Sequence, residues 1–291
     1  MAARPQLHFP SPYLLPTAPL ERAFFHVTPD GAKIATYVYV PAASSLDQTV
    51  AQGKAPALLL HGNGEEHGIF GQVIDTICES GRAVVAIDSR AQGRSTRGTA
   101  SLSYELMAGD ALAVFGHLGV DAVHVVGFSD GAIEALIIGR DHPDRVLSIL
   151  SIGANLTPDG VDDSFEMESA SRALSDWADY WTKGEGAARN VDTSLLNPPI
   201  DQARITAELL HLMVVEPQIP AESLSAIACP TTVMAGEFDE IKREETELIW
   251  RSIPEAELVI VPGCGHTLPK EAPEQVAKAA LATIARAERI S

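Results

Sequence analysis

Apolar positions along the chain follow two successive patterns. Leu20–Thr28 and Lys33–Val40 are rich in β-branched and aromatic residues and flank Pro29-Asp30-Gly31, a turn signal, so they predict a β-hairpin. Ala42–Lys54 is small and polar and predicts a surface loop. Beyond it, short continuous apolar runs alternate with stretches of helical spacing. Ala57–Leu60, Ala83–Ile87, Ala122–Phe128 and Val146–Ile152 predict buried strands, with helices over Ile69–Ser80, Tyr104–Leu118 and Ala132–Arg140 between them. Strands that are apolar on both faces and alternate with helices predict a parallel sheet covered on both sides. The rhythm resumes with strand Thr231–Ala235 and helix Arg243–Ile253, then strand Glu257–Val261 and helix Pro273–Ala287. The fold class is α/β, with a mostly parallel eight-stranded sheet.

The interval 155–222 breaks this alternation. Met167, Ala170, Leu174, Trp177 and Trp181 share one face of a helix, and Ile205, Leu209, Leu212 and Met213 share a face of another. Gly184–Pro199, rich in Gly, Asn and Pro, connects them. Two helices inserted between sheet strands predict a small helical lid over the C-terminal edge of the sheet. The chain then reads as one domain, residues 1–291, carrying this insertion. Trp177 and Trp181 fit either packing of the lid on the body or the wall of a pocket.

Charge narrows the partners. The 291 residues carry 21 Lys+Arg against 39 Asp+Glu, a net −18, which disfavours nucleic acid and anionic membrane surfaces. No apolar run approaches the roughly 18 residues of a membrane span. Met1–Leu20 is broken by prolines and lacks the apolar core of a secretory leader, so none is expected. Cys78, Cys229 and Cys264 are far apart and form neither a disulfide framework nor a zinc-ligand spacing, the usual picture in a reducing compartment. The expectation is a cytoplasmic protein acting on a small molecule, with its oligomeric state left open.

The candidate chemistry centres on Gly127-Phe128-Ser129-Asp130-Gly131, between a predicted strand and a predicted helix. A G-x-S-x-G pentad there is a nucleophile elbow: a strained turn lifts the hydroxyl clear of the sheet, and the glycines leave room for the neighbouring strand and helix. A serine hydroxyl needs a histidine to take its proton and a carboxylate to orient that histidine. Val233–Asp239 runs from a strand into an acid-bearing loop, and Val259–His266 runs from the last strand into a glycine-flanked histidine. Ser129, Asp239 and His266 thus fall past strand ends, where parallel sheets place their sites, in the order this architecture demands. Glu237, Glu240 and Asp88 compete with Asp239, which is favoured by position.

The oxygen that becomes negative in the transition state needs N–H donors, and His61-Gly62-Asn63-Gly64 is a glycine-rich strand end able to supply one. The predicted oxyanion hole is the amides of Asn63 and Asp130, with Gly64 replacing Asn63 if the loop is displaced by one residue. His61 reads as structural, its ring bonding nearby loop backbone. His61, Glu65, Glu66 and His67 match no zinc signature. Cys264, beside the histidine loop, reads as filler. Phe128 is ambiguous between packing and pocket wall.

These motifs resemble the α/β-hydrolase superfamily over roughly residues 20–290. Asp88-Ser89-Arg90-Ala91-Gln92-Gly93-Arg94-Ser95 is similar to a loop that commonly reads Asp-x-Arg-Gly-x-Gly-x-Ser, with Ala91 in place of a glycine; Ala132 likewise replaces a frequent glycine after the elbow. Glu237 stands where many relatives have an aspartate, leaving Asp239 as the matching triad acid. Gly263-x-Gly265-His266, followed by Pro269 and Pro273, is similar to the family's histidine loop and final helix. The resemblance implies the α/β-hydrolase fold and serine-nucleophile chemistry with no cofactor or metal. It counts against the dehalogenase and epoxide-hydrolase branches that place an aspartate at the elbow. The favoured reading is a hydrolase of small carboxylic esters. A C–C bond hydrolase or amidase with the same triad, and a ligand-binding signalling protein with little turnover, remain as alternatives.

Overall fold

The computed structural model describes residues 15–162 and 164–290; of the stretch searched for a leader, residues 1–14 lie outside them. The elements in chain order are β1 (Leu20–Val27), β2 (Lys33–Tyr39), α1 (Leu46–Ala51), β3 (Ala57–Leu60), α2 (Gly71–Glu79) and β4 (Val84–Ile87). There follow α3 (Tyr104–Leu118), β5 (Val123–Phe128), α4 (Asp130–Asp141), β6 (Val146–Ile152), α5 (Ser164–Thr182) and α6 (Ile200–Val215). The chain ends with β7 (Thr231–Gly236), α7 (Arg243–Ser252), β8 (Glu257–Val261), α8 (Leu268–Glu271) and α9 (Pro273–Ile290).

All eight strands form one sheet in the order β1-β2-β4-β3-β5-β6-β7-β8. β2 is antiparallel to both β1 and β4, and every other pair is parallel. Alternation along the strands divides the core into two layers. Leu58, Leu60, Val85 and Val125 pack with Met107 of α3 and Leu136 of α4, whereas Leu59, Val84 and Val126 pack with Ile74 of α2 and Val276 of α9. The central strands β3, β4 and β5 are buried throughout, which is why β3 and β4 read as unbroken apolar runs; the polar side chain of β5, His124, is buried with its Nδ1 2.9 Å from Ser148 Oγ.

Two local expectations are corrected. Ala42–Lys54 is not all loop: it holds α1, capped by Ser45, whose hydroxyl accepts from the Gln48 N–H at 3.2 Å. Ser45-Leu46-Asp47-Gln48 is a capping-box sequence, and its polar composition conceals a turn that buries Leu46 and Thr49. The helix after the elbow starts at Asp130, directly behind Ser129, not at Ala132.

Between β6 and β7 in sequence, α5 and α6 pack on each other; the Ser171 hydroxyl of α5 donates to the Ala207 carbonyl of α6 at 2.8 Å. Among the described residues no helix is long and apolar enough to cross a membrane.

Candidate active site

β5 delivers the chain to Ser129, which adopts φ 53° and ψ −117°, a conformation L residues rarely take. The steric reason for its glycine neighbours is direct. A Cβ on Gly127 would lie 2.2 Å from the Gly131 carbonyl oxygen, and one on Gly131 2.2 Å from that of Leu60. The Ser129 N–H donates to the Ile152 carbonyl at 2.8 Å, anchoring the turn to β6.

The loops after β7 and β8 bring Asp239 and His266 to this turn. His266 Nε2 lies 3.0 Å from Ser129 Oγ, and Nδ1 lies 2.7 Å from Asp239 Oδ1. With Nδ1–H donating to the carboxylate, Nε2 is left as an acceptor for the serine proton. Asp239 is itself held by the N–H of Ile241 at 2.9 Å and that of Gly236 at 3.2 Å. Burial opposes a charge on His266, but the charge of Asp239 and its hydrogen bond outweigh this, with Glu240 and Asp130 adding to them. The net direction is upward from the ordinary imidazole value.

Both predicted oxyanion residues stand beside the serine. The Asp130 N–H opens α4, where the first amides have no intrahelical acceptor, and neither it nor the Asn63 N–H meets a protein acceptor among the described residues. The displaced alternative fails because the Gly64 N–H donates to Gln92 Oε1 at 2.6 Å. His61 behaves as a structural residue: Nε2 accepts from the Ser89 N–H at 2.9 Å, leaving Nδ1–H to donate to the Gly62 carbonyl at 2.7 Å.

Two of the competing acids, Asp88 and Glu237, are occupied elsewhere. Asp88 is buried against His67, whose Nδ1 is 2.8 Å from its carboxylate, and Glu237 accepts from the Gly263 N–H at 2.8 Å. Glu65 pairs with Lys270 at 3.0 Å. Among the described residues no group of three or more His, Cys, Asp or Glu is placed to hold a metal ion. Burial pushes the Cys264 thiol up.

Ser129 and His266 open into a cavity of about 400 Å³ beneath the inserted helices, walled by Phe128, Tyr104, Met167, Leu210 and Met213. Phe128 also packs on the His266 ring, centroids 5.0 Å apart. Trp177 and Trp181 do not line this cavity, which removes the pocket-wall reading. Met167 reaches it from the first turn of α5; at about 1.5 Å rise per residue, the tryptophans lie a further 15–21 Å or so along the axis.

The acids Asp130, Glu216 and Glu240 line the cavity as well. Burial pushes the Asp130 carboxyl up to about 6, against the lowering effect of hydrogen bonds from Asn63 and Tyr104. The side-chain role of Asp130 and the presence of Tyr104, Leu210 and Glu216 are absent from the sequence reading. The one usable signal is the place of Asp130 next to Ser129.

The model of the alpha/beta hydrolase family matches residues 57–279. The chain belongs to that family. The chain is 32% identical over 106 residues to epoxide hydrolase B of Mycobacterium tuberculosis, covering 36% of this chain and 30% of that protein. It is 26% identical over 228 residues to the human serine hydrolase BPHL, covering 76% of each. The chain thus spans about a third of the length of the first curated relatives it matches, 30% in the epoxide hydrolase and 37% in a proline iminopeptidase of Clostridioides difficile. Among solved structures, an esterase from Exiguobacterium antarcticum superposes with a TM-score of 0.70 at 20% identity, covering 91% of this chain and 100% of that one. That likeness speaks for the fold alone.

Proposed function

We propose that this alpha/beta hydrolase is a serine esterase cleaving carboxylic esters of small alcohols or acids through an acyl-enzyme. The observation that carries the reading is the relay of 3.0 Å from Ser129 Oγ to His266 Nε2 and 2.7 Å from Nδ1 to Asp239. His266 takes the serine proton as Oγ attacks the ester carbonyl. The N–H groups of Asn63 and Asp130 hold the oxyanion, donors whose individual loss typically costs about 10²–10³ in rate. His266 then protonates the departing alcohol, and water activated by the same imidazole releases the acid. Asp239 fixes the tautomer and stabilises the imidazolium.

Serine at position 129 supports this chemistry over mechanisms that start from a carboxylate nucleophile. A cavity of about 400 Å³ suits a small molecule as the only partner the chemistry requires, and the inserted α5 and α6 act as its lid. The unpaired cysteines suit residence in a reducing cytoplasm.

Ser129→Ala is expected to lower hydrolysis of a short-chain p-nitrophenyl ester at least about 10⁴-fold with an unchanged melting curve. Wild-type turnover in that variant refutes the assignment. A panel of ester, anilide and β-diketone substrates separates ester from amide and C–C cleavage; faster turnover of the anilide or diketone overturns the ester reading. Tight ligand binding without turnover on any of them would mark a binding protein instead.

A further inference from the structure

The two N–H groups offered to the oxyanion come from distant parts of the chain, and their side chains are joined. Asn63 Nδ2 donates to Asp130 Oδ2 at 3.0 Å and also to the Leu209 carbonyl within α6 at 3.2 Å, so both protons of the side-chain amide are used. The other carboxylate oxygen of Asp130 accepts from the Tyr104 hydroxyl at 2.9 Å. Tyr104 in turn donates its backbone N–H to Glu216, just past the end of α6, at 3.1 Å. The chain of bonds therefore starts on α6 at Leu209, passes both oxyanion residues, and returns beside the end of α6.

Asn63 needs such a tether. It lies between Gly62 and Gly64, the latter at φ +71°, in backbone with little intrinsic preference for one amide direction. A donor contributes fully only when aimed at the developing charge. Asp130, buried and accepting two hydrogen bonds, is a fixed point to which that loop can be pinned.

We propose that the Asn63 side chain is a positioning residue: it registers the two oxyanion N–H groups to each other and to α6, so that the anion site takes its geometry from the seating of the inserted helix. The proposal rests on the esterase reading above, in which these two amides receive the oxyanion.

Neutral esters test it, because they remove any direct role for the Asp130 charge in substrate binding. Asn63→Ala keeps the backbone N–H and loses the tether, so kcat is expected to fall about 10–100-fold with KM within about two-fold, less than the loss of a whole donor. Asp130→Ala should show the same split. The double variant should fall no further than the worse single, because both break one link. Asp130→Asn can still accept from Asn63 through its carbonyl and donate to the Tyr104 hydroxyl, so its kcat is expected to be at least about ten-fold above that of Asp130→Ala, a rescue that a lost charge alone would not give.

Amide hydrogen exchange across α6 should rise in Asn63→Ala and stay at the wild-type level in Asp130→Asn. Wild-type kcat in Asn63→Ala, multiplicative losses in the double variant, or unchanged α6 exchange overturns the proposal. None of these results touches the esterase reading, which stands or falls with Ser129→Ala.

Discussion

Gly153 offers a sharp test of how closely the imidazole is held. It follows β6 at φ +64°, and a Cβ there would stand 2.8 Å from His266 Cε1, 3.0 Å from Nδ1 and 3.6 Å from Asp239 Oδ2. Ordinary contact begins near 3.4 Å, so in Gly153→Ala the ring must move by about 0.6 Å. It has little room to do so, being fixed to Asp239 at 2.7 Å and Ser129 at 3.0 Å with Phe128 packed on it. A misplacement of about 1 Å in a catalytic group costs on the order of 10²-fold, so kcat should drop about 10–100-fold with KM little changed. The backbone adds a separate cost, about 1–2 kcal/mol for alanine in the left-handed region. Gly31, in the β1–β2 turn at φ +87° with nothing within 4 Å of its built Cβ, isolates that second cost. Gly31→Ala should therefore lose about 1–2 kcal/mol in urea denaturation and keep wild-type kcat. Steady-state kinetics and denaturation on both variants decide the matter. Wild-type kcat in Gly153→Ala, or an equal loss of kcat in Gly31→Ala, would refute the steric argument.

Two pH experiments follow from the same geometry. In the proposed mechanism His266 acts as a base only when neutral, and its pKa is raised, so kcat/KM should fall as pH drops through a value above the ordinary imidazole range. In Asp239→Asn the leading favourable influences are gone and burial remains, so residual activity should show this acid limb at lower pH; an unmoved limb would contradict it. For Asp130 the carboxyl sits at about 6 against an ordinary 3.8, so the folded state binds its proton more tightly and ionisation opposes folding. Relative to wild type, Asp130→Asn should gain up to about 3 kcal/mol of stability above pH 6, with the difference fading towards pH 4. Denaturation curves at both ends of that window check the sign, and a pH-independent difference would show that the charge is not what costs stability.

The parts legible from sequence are those enforced by local sterics or by burial on two faces. β3 and β4 stand out because each is buried on both sides and carries no polar interruption, and β5 is interrupted only by the buried His124. Ser129 stands out because its turn tolerates no Cβ on either flanking glycine. The Asp88 loop is recognisable despite Ala91, since that alanine adopts φ 66°, the region a glycine would occupy. Its neighbour Gly93 cannot be exchanged so freely, because a Cβ there would meet the Asp88 carboxylate at 2.5 Å.

The walls of the cavity follow a different logic. Periodicity places Leu209 and Leu212 inside, and both are buried, but it does not reveal that Leu210, one step round the helix, faces a void above Ser129. That void is bounded by residues of α3, α5, α6 and the end of β5, which no single stretch of sequence brings together. The choice between Asn63 and Gly64 is likewise made by Gln92, 28 residues from Gly64.

Asp130 brings both kinds of information together. Its N–H is legible, because any residue after the serine presents one at the head of a helix. Its carboxylate is not, because its partners Asn63 and Tyr104 lie 67 and 26 residues away. The pentad leaves that position unspecified, so local sterics do not account for an acid there. The long-range bonds do: a carboxylate accepts the Asn63 amide on one oxygen and the Tyr104 hydroxyl on the other. In the proposed mechanism the cost of ionising it is then the cost of holding the Asn63 and Asp130 amides in one frame.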